Sequence, residues 1–383
     1  MKAQVVREQR YGDPLYAYQI EDVNLPELKT DEVRVKVMAA GLNYNNIWAA
    51  RGYPVNLIKA IGGEPFHVIG SDASGIVEEV GVGVTNVKPG DEIVVAPIWF
   101  DRNDPGYYTG EDPTIYETSK AWGFETNWGS LAEYCLVKEH QCVRKPKNLS
   151  WEEAATIMLS STTAYRMLTH WHPHNIKKDD VVAIWGGSGG LGVMAIQICH
   201  HYGAMPVCIV STEERKRFCE EMGAKAILRT RSSQWGALTS PETTPEKQVQ
   251  WRNEAKTVLK DILTLTGGKW PNVVLEHPGE QTLPTSIFIC GKSGMVVTCA
   301  GTTGYLGTFD LRYLWLAQKR LQGSHGGSHH DFHQVARLFE TGALKPVVSK
   351  VIELEDVPMA LDEMQKNLHK PGSVAVRIGC AKK

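Results

Sequence analysis

Residues 183–192 read Ala-Ile-Trp-Gly-Gly-Ser-Gly-Gly-Leu-Gly, and this stretch decides the fold of the chain. It continues a short apolar run, 181–184, directly into a glycine cluster, as the first strand and turn of a dinucleotide-binding βαβ unit do. The spacing Gly187-x-Gly189-x-x-Gly192 allows a tight turn, a close approach of the backbone to a pyrophosphate, and close packing of the next helix. That helix, predicted over 193–201, would point its N-terminal N–H groups at the phosphates.

We therefore expect the whole glycine loop to contact a nucleotide cofactor. On the pattern alone, a glycine-rich turn without a ligand stays an alternative. The residues assigned to the cofactor here are Gly186, Gly187, Ser188, Gly189, Gly190, Leu191 and Gly192.

Length and charge restrict the class of protein. A chain of 383 residues is long enough for two domains with substantial cores. Its 41 basic and 43 acidic residues give a net charge of -2, which draws it neither to nucleic acid nor to an anionic membrane. No apolar stretch approaches the roughly 18 residues of a membrane span, and the chain opens without an apolar signal segment. We expect a cytoplasmic enzyme with no nucleic-acid or membrane partner.

The eight cysteines form no CxxC pair, and none precedes Cys135. This distribution argues against both a zinc site and a disulfide framework. In a reducing compartment such cysteines behave as small buried apolar side chains.

Two different patterns of secondary structure are predicted along the chain, one before and one after about residue 150. Up to about residue 150, short β-type runs (32–39, 75–79, 92–97 and 132–137) are separated by Gly, Pro and Asp, which is typical of an antiparallel β domain. From Trp151 onward, helical segments alternate with strands, which predicts the parallel doubly wound sheet of an α/β fold. The predicted strands there are 181–184, 205–210, 273–276, 295–300 and the run before His325, and the predicted helices include 152–160, 164–170, 193–201 and 213–222.

The last residues are expected to return to the first domain. Strands predicted over 347–354 and 375–378 flank a helix over 358–368. The domain boundaries are therefore expected at 1–155, 156–345 and 346–383. We interpret the polar stretch 229–252 as a surface insertion.

The end of the second strand indicates the cofactor. Residues 210–216 read Val-Ser-Thr-Glu-Glu-Arg-Lys, whereas NAD sites commonly place an acid at the strand tip for the ribose 2′-hydroxyl. Two hydroxyls and a guanidinium suit a 2′-phosphate, so Ser211, Thr212 and Arg215 favour NADPH. The alternative is that a hydroxyl caps the helix while Arg215 is simply solvated.

Three further segments carry a family resemblance. They are 70–77 (Gly-Ser-Asp-Ala-Ser-Gly-Ile-Val), 88–91 (Lys-Pro-Gly-Asp) and 129–134 (Gly-Ser-Leu-Ala-Glu-Tyr). With the glycine loop they make the chain similar, nearly end to end, to the medium-chain dehydrogenase/reductases. This resemblance implies a GroES-like β domain interrupted by a Rossmann nucleotide domain.

The same resemblance bears on metal. Zinc-dependent members place a cysteine at the position of Asn43, a His-Glu pair at Ser71 and Asp72, and a four-cysteine lobe near 95–115. All are replaced here, and amide, hydroxyl and carboxylate groups substitute poorly for Cys and His ligands. We expect no metal. A metal site in the histidine cluster His325, His329, His330 and His333 is disfavoured as well, because its Gly-Gly-Ser neighbours suit a mobile loop.

Within the family, the chain most resembles crotonyl-CoA carboxylase/reductases and acrylyl-CoA reductases. The segments that carry this are 43–48, 121–127, 276–279, 299–305, 312–315 and 319–325. It implies hydride transfer from NADPH to Cβ of a short-chain enoyl-CoA, acrylyl-CoA or crotonyl-CoA. The resulting Cα enolate takes a proton or, in the carboxylating members, CO2. It also implies cofactor contacts at Thr163, His277 and Ala300.

The resemblance implies a catalytic set of Asn43, Phe124, Glu125 and His325. In carboxylating relatives the amide and imidazole donate to CO2, the carboxylate holds a water, and the aromatic ring shields the pocket. Taken singly, each has an ordinary alternative: a turn residue, a core aromatic, a surface acid and a core histidine. Conjugate hydride addition independently needs donors at the thioester oxygen, which the amide and imidazole can supply. Tyr53 and water are the rival proton donors.

Coenzyme A requires basic and aromatic groups, and Arg312 and Tyr313 are the predicted contacts, whereas Lys319 and Arg320 are expected on a solvated helix face.

Two departures argue against efficient carboxylation: 49–67 is shorter than in carboxylating relatives, and Gly326 replaces a phenylalanine. A quinone or enone reductase, or a non-catalytic NADPH-binding protein, are the alternative functions. Relatives of this kind imply a homodimer or homotetramer.

Overall fold

The computed structural model describes residues 1–54, 56–229 and 243–380. Its chain divides into two compact units: unit 1 is Met1–Thr162 with Gly326–Lys383, and unit 2 is Thr163–His325. Unit 2 thus begins later and ends earlier than the range 156–345 expected for the nucleotide domain. Each unit has its own sheet and core.

The first segment of unit 1 is mainly short strands joined by one-turn or two-turn helices. Its strands are β1 (Lys2–Val6), β2 (Gln19–Asp22), β3 (Glu32–Leu42), β4 (His67–Val68), β5 (Ala73–Val80), β6 (Glu92–Val95), β7 (Ile98–Trp99), β8 (Lys120–Ala121), β9 (Tyr134–Lys138) and β10 (Cys142–Arg144). Its helices are α1 (Pro14–Ala17), α2 (Tyr44–Arg51), α3 (Leu57–Ile61), α4 (Pro105–Thr109) and α5 (Trp151–Ala154), followed by α6 (Met158–Thr169), which runs across the boundary between the units.

Unit 2 is built on a six-stranded parallel sheet. Its strands are β11 (Val181–Trp185), β12 (Met205–Val210), β13 (Lys225–Leu228), β14 (Val273–Glu276), β15 (Met295–Thr298) and β16 (Arg320–Gly323), and its helices are α7 (Gly190–His201), α8 (Glu213–Glu221), α9 (Pro245–Thr266), α10 (Leu283–Ile289) and α11 (Arg312–Trp315). The strand order β13-β12-β11-β14-β15-β16 is that of a doubly wound dinucleotide fold, with its switch point between β11 and β14. β11 and β14 are buried throughout, as a sheet covered on both faces requires. The predicted α/β fold class is confirmed.

The final segment completes unit 1 with α12 (His329–Glu340), β17 (Val348–Glu353), α13 (Val357–Gln365) and β18 (Ser373–Arg377). β18 pairs antiparallel with β3, so the final segment adds β18 and β17 to the seven-stranded sheet that also contains β3, β5, β6, β9 and β10. Along β3, Val33, Val35 and Val37 are buried on one face, the period of two expected for a sheet with one core face.

Helix α12 explains why unit 2 ends at His325. Ser328 caps the helix by accepting a hydrogen bond from the Asp331 N–H, and Asn148 of unit 1 donates to the Phe339 carbonyl at 3.0 Å. The expectation of a mobile loop around 329–333 is therefore wrong: these residues form the first turns of a capped helix.

Helix α9 corrects part of another interpretation. Residues 243–252 belong to this helix and its cap, with Thr244 accepting from the Lys247 N–H at 3.3 Å. Trp251 and Ala255 are buried on its inner face against Phe288 and Tyr313. The stretch 243–252 is therefore largely exposed, but from Pro245 it belongs to a helix that packs on unit 2 through Trp251, while 230–242 lies outside the described residues. In the part of the chain described, no helix has the length and apolar run needed to cross a bilayer.

Candidate active site

The carboxyl ends of the parallel strands gather most of the predicted cofactor residues of unit 2. Gly186 follows β11, Ser211 follows β12, His277 follows β14, and Ala300 comes two residues after β15. The carboxyl ends of parallel strands lie along the same edge of the sheet, where dinucleotide folds bind their ligands. Thr163, by contrast, lies within α6, outside the sheet. The structure thus places four separate sequence segments at one edge.

Two glycines of the loop serve different purposes. A Cβ on Gly192 would meet the Gly186 carbonyl oxygen at 2.5 Å, so this glycine lets α7 begin against the turn. A Cβ on Gly189 would meet nothing nearer than that same oxygen at 3.7 Å, and its backbone is extended (φ -84°, ψ 171°). The fold itself therefore does not require glycine at 189. The open face there fits a group, such as a pyrophosphate, that approaches the backbone closely.

A buried arginine ties the loop to the next βα unit. Arg215, only 8% exposed, donates from Nη1 to Ser188 Oγ at 3.0 Å, and its burial lowers the pKa of the guanidinium. Thr212 Oγ1 accepts the Arg215 N–H at 3.2 Å and so caps α8. The helix-cap alternative thus describes Thr212, and Arg215 is bonded within the protein rather than simply solvated. Recognition of a 2′-phosphate by these residues stays a prediction.

His277 is held in one tautomer beside the loop. Its Nε2 lies 2.9 Å from the carbonyl oxygen of Trp185, and since that oxygen can only accept, Nε2 carries the proton. Burial lowers the pKa of His277 to about 4, so the ring is neutral at physiological pH. The preceding Glu276 is fully buried and accepts hydrogen bonds from Thr282 Oγ1 at 2.6 Å and the Gly279 N–H at 2.9 Å. Its burial raises the pKa of the Glu276 carboxyl.

In unit 1, Asn43 stands between β3 and α2 and is held at both ends. Its backbone N–H donates to Asn46 Oδ1 at 2.8 Å, which caps α2. Its side-chain Nδ2 donates to Asp72 Oδ2 at 3.1 Å, and Asp72 Oδ1 accepts the Leu159 N–H at 3.0 Å. Asp72 is 1% exposed, and burial raises the pKa of its carboxyl to about 7.

These groups do not fit a zinc ion. Zinc sites use Cys and His ligands with at most an occasional carboxylate, whereas Asn43 and Asp72 are bonded to each other and Ser71 Oγ accepts from Asn45 Nδ2 at 2.8 Å. Among residues 1–54, 56–229 and 243–380, no group of three or more His, Cys, Asp or Glu side chains is arranged to hold a metal.

Phe124 and Glu125 lie in the turn after β8. The ring of Phe124 is half-buried and meets Trp48 of α2 edge to face, with 6.4 Å between ring centroids. Glu125 Oε2 accepts the Ala121 N–H at 2.7 Å, so one oxygen of the carboxylate is anchored within the turn. Buried His67 donates from Nε2 to the Thr126 carbonyl at 3.0 Å, and burial lowers the pKa of its ring to about 4. Unit 1 therefore brings Phe124 against the helix that Asn43 begins.

The remaining predicted groups are more exposed. His325 is the last residue of unit 2 and follows β16 in an exposed position. Tyr53 is 57% exposed.

The predicted coenzyme A residues already have partners in the protein. Arg312 is exposed and forms a forked ion pair with Asp310, whose shortest contact is 2.6 Å. The ring of Tyr313 is half-buried at 5.0 Å from that of Phe288. Lys319 contradicts the expected solvated face, because its Nζ donates to the Ile287 carbonyl at 2.6 Å.

Sequence reasoning missed the contact of Asp72 with Asn43 and that of Arg215 with Ser188. In the sequence, Asp72 stands out only as a position where zinc enzymes differ. A usable signal was its place directly before the buried start of β5, where an acid must find donors.

Comparisons with known proteins agree with this fold. Residues 29–147 match the alcohol dehydrogenase GroES-like domain, and residues 190–341 match the domain described as zinc-binding dehydrogenase. A crotonyl-CoA carboxylase/reductase of Cereibacter sphaeroides is 42% identical over 380 residues, 99% of this chain and 87% of that protein. A solved crotonyl-CoA carboxylase/reductase in complex with NADP is 42% identical, with a TM-score of 0.94, over 100% of this chain and 95% of that one.

A solved 2-octenoyl-CoA carboxylase reductase, in complex with NADP and 2-octenoyl-CoA, is 35% identical with a TM-score of 0.91. The match covers 100% of this chain and 88% of that one. The predicted GroES-like and Rossmann domains and the family resemblance are confirmed: the chain belongs to the medium-chain dehydrogenase/reductase family, within the group of the crotonyl-CoA carboxylase/reductases and acrylyl-CoA reductases.

Proposed function

We propose that this protein transfers a hydride from NADPH to Cβ of a short-chain 2-enoyl-CoA. The observation that carries the proposal is the glycine loop at the carboxyl edge of the sheet, with its open face at Gly189. It occurs in a chain similar to enzymes solved with NADP and with an enoyl-CoA thioester.

We assign the cofactor to the edge of unit 2. When bound, NADPH supplies the hydride. The loop backbone and the N-terminus of α7 would hold its pyrophosphate. Neutral His277, with its Nε2–H engaged by Trp185, would present Nδ1 as an acceptor near the turn. The other proposed contacts are Thr163, Gly186, Gly187, Ser188, Gly189, Gly190, Leu191, Gly192, Ser211, Thr212, Arg215 and Ala300.

The substrate needs hydrogen-bond donors more than it needs a nucleophile. Hydride addition at Cβ moves negative charge onto Cα and the thioester oxygen, and aligned donors stabilise that charge as it develops. Asn43 gives one N–H to Asp72 and has a second N–H to offer the substrate. We assign the same donor role to the imidazole of His325. Glu125, with one oxygen on Ala121, is assigned a water molecule, and Phe124 keeps bulk water out.

The enolate has two possible electrophiles. A proton at Cα gives the saturated acyl-CoA, whereas bond formation between Cα and the carbon of CO2 gives an alkylmalonyl-CoA. Exclusion of water favours the second outcome, because a protonated enolate cannot be carboxylated. In the first outcome, exposed Tyr53 or a water molecule is the proton donor.

The test is NADPH oxidation with acrylyl-CoA and with crotonyl-CoA, with and without saturating bicarbonate and carbonic anhydrase. Product masses identify the electrophile: only saturated acyl-CoA under both conditions would exclude carboxylation. The two substrates differ by one methyl group, a difference worth roughly 1 to 3 kcal/mol in a fitted pocket, so their kcat/KM ratio measures the pocket directly. No turnover of either thioester would leave two alternatives, a non-catalytic NADPH-binding protein and a reductase of quinones or enones.

One observation favours a second candidate, a quinone or enone reductase that does not use coenzyme A. The guanidinium of Arg312, proposed to bind coenzyme A, is already paired with Asp310, and Tyr313 is half-buried among aromatic rings. If coenzyme A binds there, Arg312→Ala raises the KM for crotonyl-CoA and leaves the KM for a simple enone unchanged. If wild-type protein and the Arg312→Ala variant have the same KM for crotonyl-CoA, the second candidate is favoured.

We also propose that the protein assembles as a homodimer or homotetramer through unit 2. β16 is the edge strand of the parallel sheet, and edge strands offer backbone groups to a second copy. The preceding residues Leu306, Leu311, Trp315 and Leu316 are exposed apolar side chains. Light scattering after size-exclusion chromatography measures the state directly, and a monomer would contradict the proposal.

A further inference from the structure

We infer that Asp72 is the positioning residue for Asn43: it fixes which face of the Asn43 amide is turned to the substrate. This inference rests on the proposed function, in which Asn43 donates a hydrogen bond to the thioester oxygen. It adds a residue that no sequence pattern assigned to the site, at a position where zinc-dependent relatives carry the Glu of their His-Glu pair.

The geometry assigns each oxygen of the Asp72 carboxyl to a different element. Oδ1 accepts the Leu159 N–H at 3.0 Å, at the first turn of α6, while Oδ2 accepts Asn43 Nδ2 at 3.1 Å, immediately before α2. The carboxyl is 1% exposed, so bulk water does not compete for these bonds. Asp72 therefore joins the starts of two helices through one buried side chain.

An asparagine amide needs such a partner to have one orientation. Its oxygen and nitrogen ends have nearly the same shape, so a half-turn of the group exchanges a donor for an acceptor. With the Asp72 carboxylate as acceptor, Nδ2 is kept on the Asp72 side and one of its two N–H groups is used. If the amide turned over, its oxygen would face a carboxylate oxygen without a proton between them, which is unfavourable.

Protonation of Asp72 would remove this preference. The groups that face the carboxyl are the backbone N–H groups of Met158 and Leu159 and the Asn43 amide, and in the described chain no charged side chain shifts its pKa. Burial raises the pKa of Asp72 to about 7, so the carboxyl changes its proton near neutral pH. A protonated Oδ2 donates instead of accepting, and the Asn43 amide can then turn its oxygen toward Asp72.

The test compares Asp72→Asn with a matched control, Asp104→Asn. Asp104 is also buried, at 3% exposure, and its oxygens accept the N–H groups of Gly106 and Thr118, both at 2.9 Å. For Asp72→Asn we expect kcat with crotonyl-CoA to fall by about 10-fold, the loss of one oriented donor, with NADPH affinity unchanged. The control variant should retain the wild-type kcat and NADPH affinity. The kcat of the wild-type protein should fall toward acid pH with a midpoint near neutrality, and this midpoint should be absent from Asp72→Asn.

A double-mutant cycle separates positioning from mere structural support. If Asp72 acts through Asn43, the double variant Asp72→Asn/Asn43→Ala is no slower than Asn43→Ala alone. Independent, multiplicative losses would overturn the inference, as would an Asp72→Asn enzyme with wild-type kcat and pH profile.

A second measurement needs neither turnover nor a folded Asp72 variant. In wild-type protein labelled with 15N-asparagine, the two side-chain amide protons of Asn43, assigned with Asn43→Ala, should shift together with a midpoint near neutral pH. Amide signals that stay unchanged while the Asp72 carboxyl itself takes up its proton would overturn the inference. If wild-type protein reduces no enoyl-CoA but these signals titrate, the proposed function fails while the link between Asp72 and Asn43 stands.

Discussion

The glycine loop of unit 2 and the Asn43 amide of unit 1 are positioned in opposite ways. Within residues 186–192, Gly192 meets the carbonyl of Gly186, so the loop is shaped by neighbours a few residues away. Asn43 is held by Asp72, 29 residues along the chain, and Asp72 in turn by Leu159, a further 87 residues on. A local turn carries its geometry in its own sequence, whereas a bridge between distant segments exists only after the sheet has formed.

The largest expected effect is on ligand binding at the local site. We expect Gly189→Val to weaken NADPH binding by about 100-fold, roughly 2.7 kcal/mol, because its side chain begins in the open face, where an added Cβ comes no nearer to other protein atoms than 3.7 Å. Val adopts the extended backbone but is a poor N-cap for α7, so the free energy of unfolding should fall by only about 1 kcal/mol. Titration calorimetry and urea denaturation measure the two quantities. Unchanged NADPH affinity would mean that the pyrophosphate does not lie at Gly189.

The neighbouring substitution Gly192→Ala should mainly reduce the stability of the protein, in contrast to Gly189→Val. Its Cβ would meet the Gly186 carbonyl oxygen at 2.5 Å, so α7 must shift away from β11. We expect the free energy of unfolding to fall by about 1 to 3 kcal/mol, as for other overpacked sites. Urea denaturation of the apo protein measures it. A stable Gly192→Ala protein would show that the turn is less tightly determined than its neighbours indicate.

A smaller effect on NADPH binding is expected from Arg215, which contacts the glycine loop from 27 residues further along the chain. Arg215→Met removes the bond to Ser188 and should weaken NADPH binding by about 10-fold, roughly 1.4 kcal/mol. Arg217→Met, on the exposed side of the same helix, is the matched control. An equal loss for NADH would indicate that Arg215 acts by holding the loop, whereas a loss for NADPH alone would indicate contact with the 2′-phosphate.

The smallest expected effect is a pH dependence shared by the two units. His67 in unit 1 is buried and His277 in unit 2 is half-buried, and their loss of solvation lowers the pKa of each ring from 6.5 to about 4. A histidine whose pKa is lowered by folding stabilises the protein fully above the unfolded value, and this stabilisation is lost as the pH falls toward the folded value.

We therefore expect the free energy of unfolding to decrease from about pH 6.5 toward pH 4. His67→Gln, whose amide can still donate to the Thr126 carbonyl, should make this decrease shallower, and His277→Gln should do the same through unit 2. Urea denaturation across this pH range measures the slopes. A steeper slope in either variant would contradict the burial of a neutral ring.

Local patterns predicted much of unit 2 correctly. β12 and β14 have the bounds expected from their apolar runs, and the glycine loop lies between a buried strand and α7. Unit 1 was harder to predict, because its short strands are paired across long distances: β18 joins β3 only in the folded chain. Helix α9 was mistaken in part for an insertion, since Trp251 is its single large buried residue within 243–252.

For the candidate site, sequence patterns found the residue types but not their partners. Asn43, Glu125 and Arg312 were singled out by resemblance, and their bonds to Asp72, Ala121 and Asp310 could not be read from the chain. A side chain commits to a partner only when the backbone brings a donor and an acceptor within reach. The ion pair with Asp310 weakens the prediction that Arg312 binds coenzyme A, because the guanidinium already has a partner in the protein.

The amino-acid sequence alone determined the α/β class, the glycine loop and the family, because strand periodicity and glycine spacing are properties of short segments. The tertiary structure decided that Asp72 holds Asn43, that Arg215 holds Ser188, and that the nucleotide unit ends at His325. The physical reason is the range of the interactions. Turns and helices depend on neighbours in sequence, whereas a buried hydrogen bond depends on two segments that meet only when the core has excluded water.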